Sequence, residues 1–211
     1  DWGEPAESLV NEGGAEQIPV VGINRQPGSA CVDDVSSDKV YGATLAAGQL
    51  GRNGGRHVGW LNIAHSTGAG RMRGDAFYQA LQTLGVDTTH NLQAIIAPAE
   101  GYDGGFQAAS EADETLEGIF CANAQLACGF LDGMRQRGRH SPDDFQIIGF
   151  DNTPQTAQYS YQLTTLHQDV EEISRQALTR LLERADDPLQ PSRTTWVDVQ
   201  LISRRTSPLP Q

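Results

Sequence analysis

Positive charge, aromatic rings and sulfur are all in short supply in this chain of 211 residues. Lysine and arginine number 15 against 27 aspartates and glutamates, a formal net charge of −12. Holding nucleic acid by counterion release requires clustered Lys and Arg, so this segment is not itself a DNA-binding surface. If the protein acts on DNA, another segment touches it. The acidity suits a solubilising surface. Aromatic residues make up 7% of the chain and apolar residues 38%, so the interior must rest on aliphatic side chains. No run approaches the ~20 consecutive apolar residues of a membrane-spanning helix. The opening DWGEPAESLV has neither the basic nor the apolar stretch of a secretory signal. Cys31, Cys121 and Cys128 are odd in number and lack a framework spacing, which argues against a disulfide scaffold. Cys121 and Cys128 lie in an apolar stretch and suit core filling. A reducing, cytoplasmic compartment is the expectation.

Several chemical signatures are missing as well. The sequence contains no GxGxxG opening a helix after a strand, no GxxxxGK[ST] and no GxSxG. His57, His65, His90, His140 and His167 do not pair with one another, or with Cys or Glu, at ligand spacing. No metal and no cofactor is therefore expected. STGAG (66–70) has the composition of a phosphate cradle at a helix N-terminus, but a short glycine loop also serves as a plain start to a helix.

What is present is an alternation of two textures. Short β-branched runs read as buried strands: IPVVGI (18–23), HVGWLNI (57–63), LQAIIAP (92–98), LEGIFCA (116–122), FQIIGF (145–150) and 163–166. Amphipathic runs between them read as helices. SSDKVYGATLAAGQLGRNGG begins at a Ser36 or Ser37 cap and ends at 53–55; GRMRGDAFYQALQTLG stops at Gly85; GGFQAASEADE is shorter; AQLACGFLDGMRQRG stops at Gly138. DVEEISRQALTRLLERA has Asp169 as its N-cap candidate and Ile173, Ala177, Leu178, Leu181 and Leu182 on one face. TTWVDVQLISR alternates like one half-exposed strand. Such alternation predicts an α/β fold of parallel sheets covered by helices on both faces. Ligands in such sheets sit beyond the carboxyl ends of the strands. Those ends are Asn24, residues 64–71, residues 98–105, Asn123 and residues 151–153.

One stretch carries more specific information. GIFCANAQLACGFLDGMRQRGRHSPDDFQIIGFDNTPQTAQ, followed by LTTLHQDVEEISRQALTRLL, resembles the effector domains of the LacI/GalR family of bacterial transcription regulators. The shared elements are a strand ending in Asn before a helix, a G–x–x–x–P–x–D turn, a strand ending in GFD, and LTT–x–x–Q. The resemblance continues through RMRGDAF, VDDVSSDKVYGATLAAGQL, IPVVGINR and the terminal RRTS, and covers nearly the whole chain.

The resemblance implies a two-lobed periplasmic-binding-protein-like fold. Residues 1–33 and 163–185 form the first lobe, 34–162 and 186–211 the second, and a ligand sits between them. It further implies that the first lobe is N-terminally incomplete, and that the family's helix-turn-helix headpiece and hinge helix are absent from this chain. Carried over one residue at a time, Asp151 matches the effector-binding Asp, a carboxylate able to accept two donors. Arg71 matches an arginine three residues before a glycine, whose fork can hold a hydroxyl or ring acceptor. Asn123 matches the Asn after the strand and is also a plausible helix cap; the Asp usual at the next position is Ala124 here. Gln168 matches the Gln after LTT. Tyr102 or Phe106 offers an aromatic face for stacking on a ring or sugar. NIAHSTGAGRMRG resembles the corresponding loop of the family's purine-responsive members, with Thr67 at a ligand-contacting position and His65 where those proteins have Arg.

The expected function is effector sensing, with a sugar or a purine-like metabolite as the effector. Operator DNA would be bound through the headpiece. A homodimer is expected, its surface drawn from helices around 43–50 and 124–135. Two other readings compete: a periplasmic sugar-binding protein of a transporter, and an α/β enzyme using Asp151 with His65 or His167 as an acid–base pair.

Overall fold

A computed structural model gives the fold and describes residues 19–24, 32–66 and 68–209; Cys31 and Thr67 lie outside the described residues. The chain divides into two compact units. Lys39–Ser66, Gly70–Gln168 and Val199–Gln211 make the larger, and the other described residues, chiefly Asp169–Asp198 and those up to Asp38, the smaller.

The larger unit is a six-stranded sheet between two layers of helix. Its strands are β3 (Val58–Ile63), β4 (Leu92–Ala97), β5 (Gly118–Cys121), β6 (Gln146–Phe150), β7 (Thr164–Gln168) and β9 (Val199–Ile202), in the order β4-β3-β5-β6-β7-β9. Every pair is parallel except β7 with β9, as the strand–helix alternation predicts. Successive strand residues face opposite sides of the sheet, so Ile119 and Cys121 enter one core while Phe120 enters the other. On the first side lie α3 (Gly101–Ala108) and α4 (Ala124–Gln136), contributing Ala108, Leu126, Phe130 and Met134. On the second lie α1 (Lys39–Arg52) and α2 (Gly68–Thr83), contributing Ala46, Leu50, Phe77 and Leu81. Phe77, Phe120 and Trp60 form a ring cluster there, with centroids 5.1–6.3 Å apart.

Helices α3 and α4 touch backbone to backbone. A Cβ on Gly105 would lie 2.1 Å from the Leu126 carbonyl oxygen, and one on Gly129 1.9 Å from that of Tyr102. The small residues of 124–135, expected at a dimer surface, are therefore spent within the chain. Ala43, Ala46, Ala47 and Leu50 are likewise fully buried against the sheet.

The smaller unit is a parallel three-stranded sheet, β1 (Val21–Ile23), β2 (Asp33–Ser37) and β8 (Thr194–Val197), in the order β1-β2-β8. Helix α5 (Val170–Asp186) packs Ile173 and Ala177 on Val35 and Val197. Asp169 caps it, accepting from the Glu172 amide at 2.9 Å. Leu178 and Leu182, expected on the buried face, are exposed; Arg180 and Arg184 are buried in their place. Both arginines bind Asp33, itself fully buried, with Arg184 Nε 2.5 Å and Arg180 Nε 2.9 Å from its carboxylate.

Three sequence expectations change here. Ser36 and Ser37 do not cap α1 but belong to β2, a strand the hydrophobic pattern does not reveal. The run TTWVDVQLISR is not one strand: β8 joins the small sheet and β9 the large one. The boundaries at 34, 163 and 186 do not coincide with those of the two units, because β2 and β8 belong to the smaller and β7 to the larger.

Candidate functional site

The carboxyl ends of β5, β6 and β7 lie side by side in the larger unit. Asp151 directly follows β6 and has φ = +81°, a left-handed backbone that is uncommon for a residue with a side chain and often marks a functional position. Its amide donates to the Leu166 carbonyl at 2.9 Å. One carboxylate oxygen accepts a hydrogen bond from the amide group of Gln168, the last residue of β7. Two expected site residues are thus in direct contact although seventeen positions apart.

The cation beside them is Arg73. Its guanidinium lies over the Phe150 ring, 3.6 Å from the centroid, and donates through Nη1 to the Ala122 carbonyl at 2.7 Å. Its Nε is buried without a hydrogen-bond partner. Burial lowers the pKa of Arg73 to about 10, against the pull of the Asp151 charge in the other direction. The side chain therefore stays cationic at neutral pH with donor capacity unused. Asn123 stands at the end of β5 as the N-cap of α4, its Oδ1 accepting from the Leu126 amide at 2.9 Å; the capping role is filled.

The remaining expected residues have other partners or are exposed. Arg71 is exposed, its guanidinium donating to the Ser66 carbonyl at 2.7 Å. The reason is helical phase. Two residues along a helix is about 200° of rotation, so of the two arginines in RMRG only one can face the sheet. Arg73 shares its face with Phe77, Ala80 and Leu81, all buried, whereas Arg71 shares its own with exposed Asp75 and Tyr78. The apolar periodicity of α2, extended back to its first turn, places Arg73 on the sheet-facing side. Gly74 has a packing reason of its own: a Cβ there would come within 2.8 Å of Trp60 Nε1.

Tyr102 is engaged with α4. Its hydroxyl donates to Asp132 at 2.7 Å, beside that of Tyr161 at 2.8 Å, and its ring stacks on Phe106. Burial, then the Asp132 carboxylate, push its pKa up to about 12. His65 is exposed, and Thr67 is outside the described residues. Cys121 and Cys128 are buried free thiols, their pKa values pushed up by burial. Among the described residues no three His, Cys, Asp or Glu side chains are grouped to hold a metal ion, and no helix is long and apolar enough to cross a membrane. The arrangement offers a carboxylate acceptor and an unsaturated guanidinium donor, a pair suited to hydroxyls or the edge of a heterocycle.

Comparison with known proteins agrees with this architecture. Residues 47–207 match the family of periplasmic binding protein-like domains. The chain is 27% identical over 211 residues to the HTH-type transcriptional repressor PurR of Salmonella paratyphi B, covering 98% of this chain and 60% of that protein. It is 25% identical over 191 residues to the PurR of Mannheimia succiniciproducens, covering 90% and 57%. The chain thus spans less than two thirds of the length of these relatives. Among solved structures, a LacI family regulator from Enterococcus faecalis with bound ribose has a TM-score of 0.85 and 28% identity, covering 98% of this chain and 75% of that one. One from an Arthrobacter species, in complex with lactose, has a TM-score of 0.80 and 26% identity, covering 97% and 75%.

Proposed function

Because the chain belongs to the family of periplasmic binding protein-like domains, we propose that it is the effector-sensing part of a LacI-type transcription regulator. It binds a small polar metabolite at the carboxyl ends of β5, β6 and β7 and thereby modulates DNA binding by a helix-turn-helix headpiece outside this chain. The observation that carries the reading is a carboxylate and a cation at one sheet edge: Asp151, held by Gln168 just after β6, and Arg73, stacked on the neighbouring Phe150 and near enough to feel the Asp151 charge. Buried charged groups are costly unless paired and hydrogen-bonded, and a polar ligand at this edge would add partners to the Asp151 carboxylate and the Arg73 guanidinium. The module binds rather than transforms its ligand, works in the cytoplasm and acts as a homodimer in the full protein.

A sugar is the favoured effector, since hydroxyls can donate to Asp151 and accept from Arg73 at once. The solved relatives with ribose and lactose support that choice. A purine or nucleoside is the second reading, supported by the PurR relatives and the HSTGAGR loop. A transporter's sugar-binding protein would use the same fold, and the regulator relatives disfavour it.

A thermal-shift screen of sugars, purine bases and nucleosides tests the proposal. A ligand at a hundred times its Kd should stabilise the chain by about 2.7 kcal/mol. Failure of every sugar and purine to shift the transition would count against effector sensing, and turnover of any of them would point to an enzyme.

A further inference from the structure

The connection between β6 and β7 is bounded by two left-handed residues with side chains, Asp151 at φ = +81° and Gln162 at φ = +44°. Nothing in the local sequence obliges Asp, rather than Gly, to adopt that conformation. Asp enters that region more readily than most residues, and contacts around the turn then fix it; Arg204, just past the end of β9, makes several of them. Its Nη2 donates to Asn152 Oδ1 at 2.7 Å, at the start of the connection. Its Nη1 donates to the Leu163 carbonyl at 2.8 Å, at the end. The hydroxyls of Thr156 and Thr165 are at 3.3 and 3.4 Å from the same Nη1. Thr156, fully buried in the middle of the connection, also donates to the Thr153 carbonyl at 2.6 Å.

The backbone of Arg204 is itself fixed, its amide donating to Thr164 Oγ1 at 2.9 Å. The acceptors of the guanidinium are all neutral oxygens, and burial lowers its pKa. A partly buried cation without a carboxylate is an expensive way to close a loop. A planar fork with donors pointing in different directions is, however, the one side chain able to join both ends at once.

We propose that Arg204 is a positioning residue for the effector site. By tying Asn152 to Leu163 it holds Asp151 in the left-handed conformation that presents its carboxylate beside Gln168. The effect on binding rests on the reading of Asp151 as an effector ligand; the effect on the Asp151 backbone does not.

Two measurements separate these. The first is residue-resolved amide hydrogen exchange on the ligand-free chain for wild type, Arg204→Lys and Asn152→Ala. The Asp151 amide is expected to exchange about tenfold faster in both variants, with Ile148 and Phe120 retaining their protection. Unchanged exchange at Asp151, or equal acceleration across the sheet, overturns the proposal. The second is calorimetric titration with D-ribose of wild type, Arg204→Lys, Asp151→Asn and the double variant. A residue acting through Asp151 weakens binding about tenfold in the wild-type background and adds little once Asp151 is changed. Additive losses overturn it. If wild type does not bind D-ribose, ribose is not the effector, and hydrogen exchange still decides the role of Arg204.

Discussion

At the amino edge of the large sheet, polar groups that enter the interior find neutral partners. Thr206 accepts from the Thr164 amide and donates to the Ile147 carbonyl, both at 2.8 Å. Ser207 donates to Gln146 at 2.7 Å, and Gln49 donates to the carbonyls of Ser207 and Pro208. At the carboxyl edge of the same strands two charged groups appear, Asp151 and Arg73. Asp151 is in a left-handed backbone, and Arg73 is desolvated with Nε unpaired. One edge is filled with neutral hydrogen bonds; the other holds a cation with one nitrogen unpaired. The difference teaches that, within this sheet, charge rather than burial sets the candidate site apart from the structural polar cluster.

The contrast can be broken most severely at the amino edge. Thr206→Val should leave the Thr164 amide and the Ile147 carbonyl without partners in a buried setting, a loss of about 2–4 kcal/mol in urea denaturation. Effector affinity should be nearly unaffected, and a parallel fall in affinity would show that the two edges are not separable. At the opposite edge, Asp151→Ala should weaken effector binding by roughly 1.5–3 kcal/mol in calorimetry, with the unfolding midpoint close to wild type.

Arg73→Met is a finer test. It should impair binding yet raise stability by about 1 kcal/mol at neutral pH, because it removes a desolvated cation. The pH dependence has a definite sign. Arg73 has a folded pKa of about 10, below its ordinary 12.5. Below pH 10 both folded and unfolded chains hold the proton and the cost of burial is complete. As pH rises from 10 towards 12.5 the unfolded chain holds more protons than the folded one, so wild-type stability gains relative to the variant. The stability gap should close over that window, and a gap that widened would contradict the assignment. The smallest effect is expected from Arg71→Ala, within about 0.5 kcal/mol in both stability and affinity. A large loss of affinity there would favour Arg71 over Arg73 as the effector-binding cation.

Most of the large unit was legible in the sequence because its strands are continuous apolar runs and its helices keep their period. Ile147, Ile148 and Phe150, or Ala46 and Leu50, announce themselves locally. The strand Asp33–Ser37 did not, because four of its five residues are polar yet buried. What makes that burial tolerable is Arg180 and Arg184, on a helix far along the chain, beyond the reach of any local window. The break at Asp198 is equally a tertiary event, since alternation runs through it unchanged. Asp151 and Gln168 were identified through their motif, and the structure joins them. The motif points to Arg71 and helical phase turns Arg73 towards the sheet, so both arginines of α2 stand as candidates. The use of Tyr102 was not legible, as it depends on the approach of α3 to α4 that Gly105 and Gly129 permit.

The antiparallel pairing of β9 with β7 bears on the order in which the protein is made. A nascent chain emerges from the amino end, and its domains fold as units. The large sheet can assemble β3 to β7 early, but the outer edge of β7 then awaits a strand that follows the whole of α5 and β8. Until residues 199–207 have emerged, that edge shows unpaired backbone groups, a surface prone to joining another chain. A premature stop near residue 198 is therefore expected to yield aggregates during synthesis rather than a slightly shorter, soluble product.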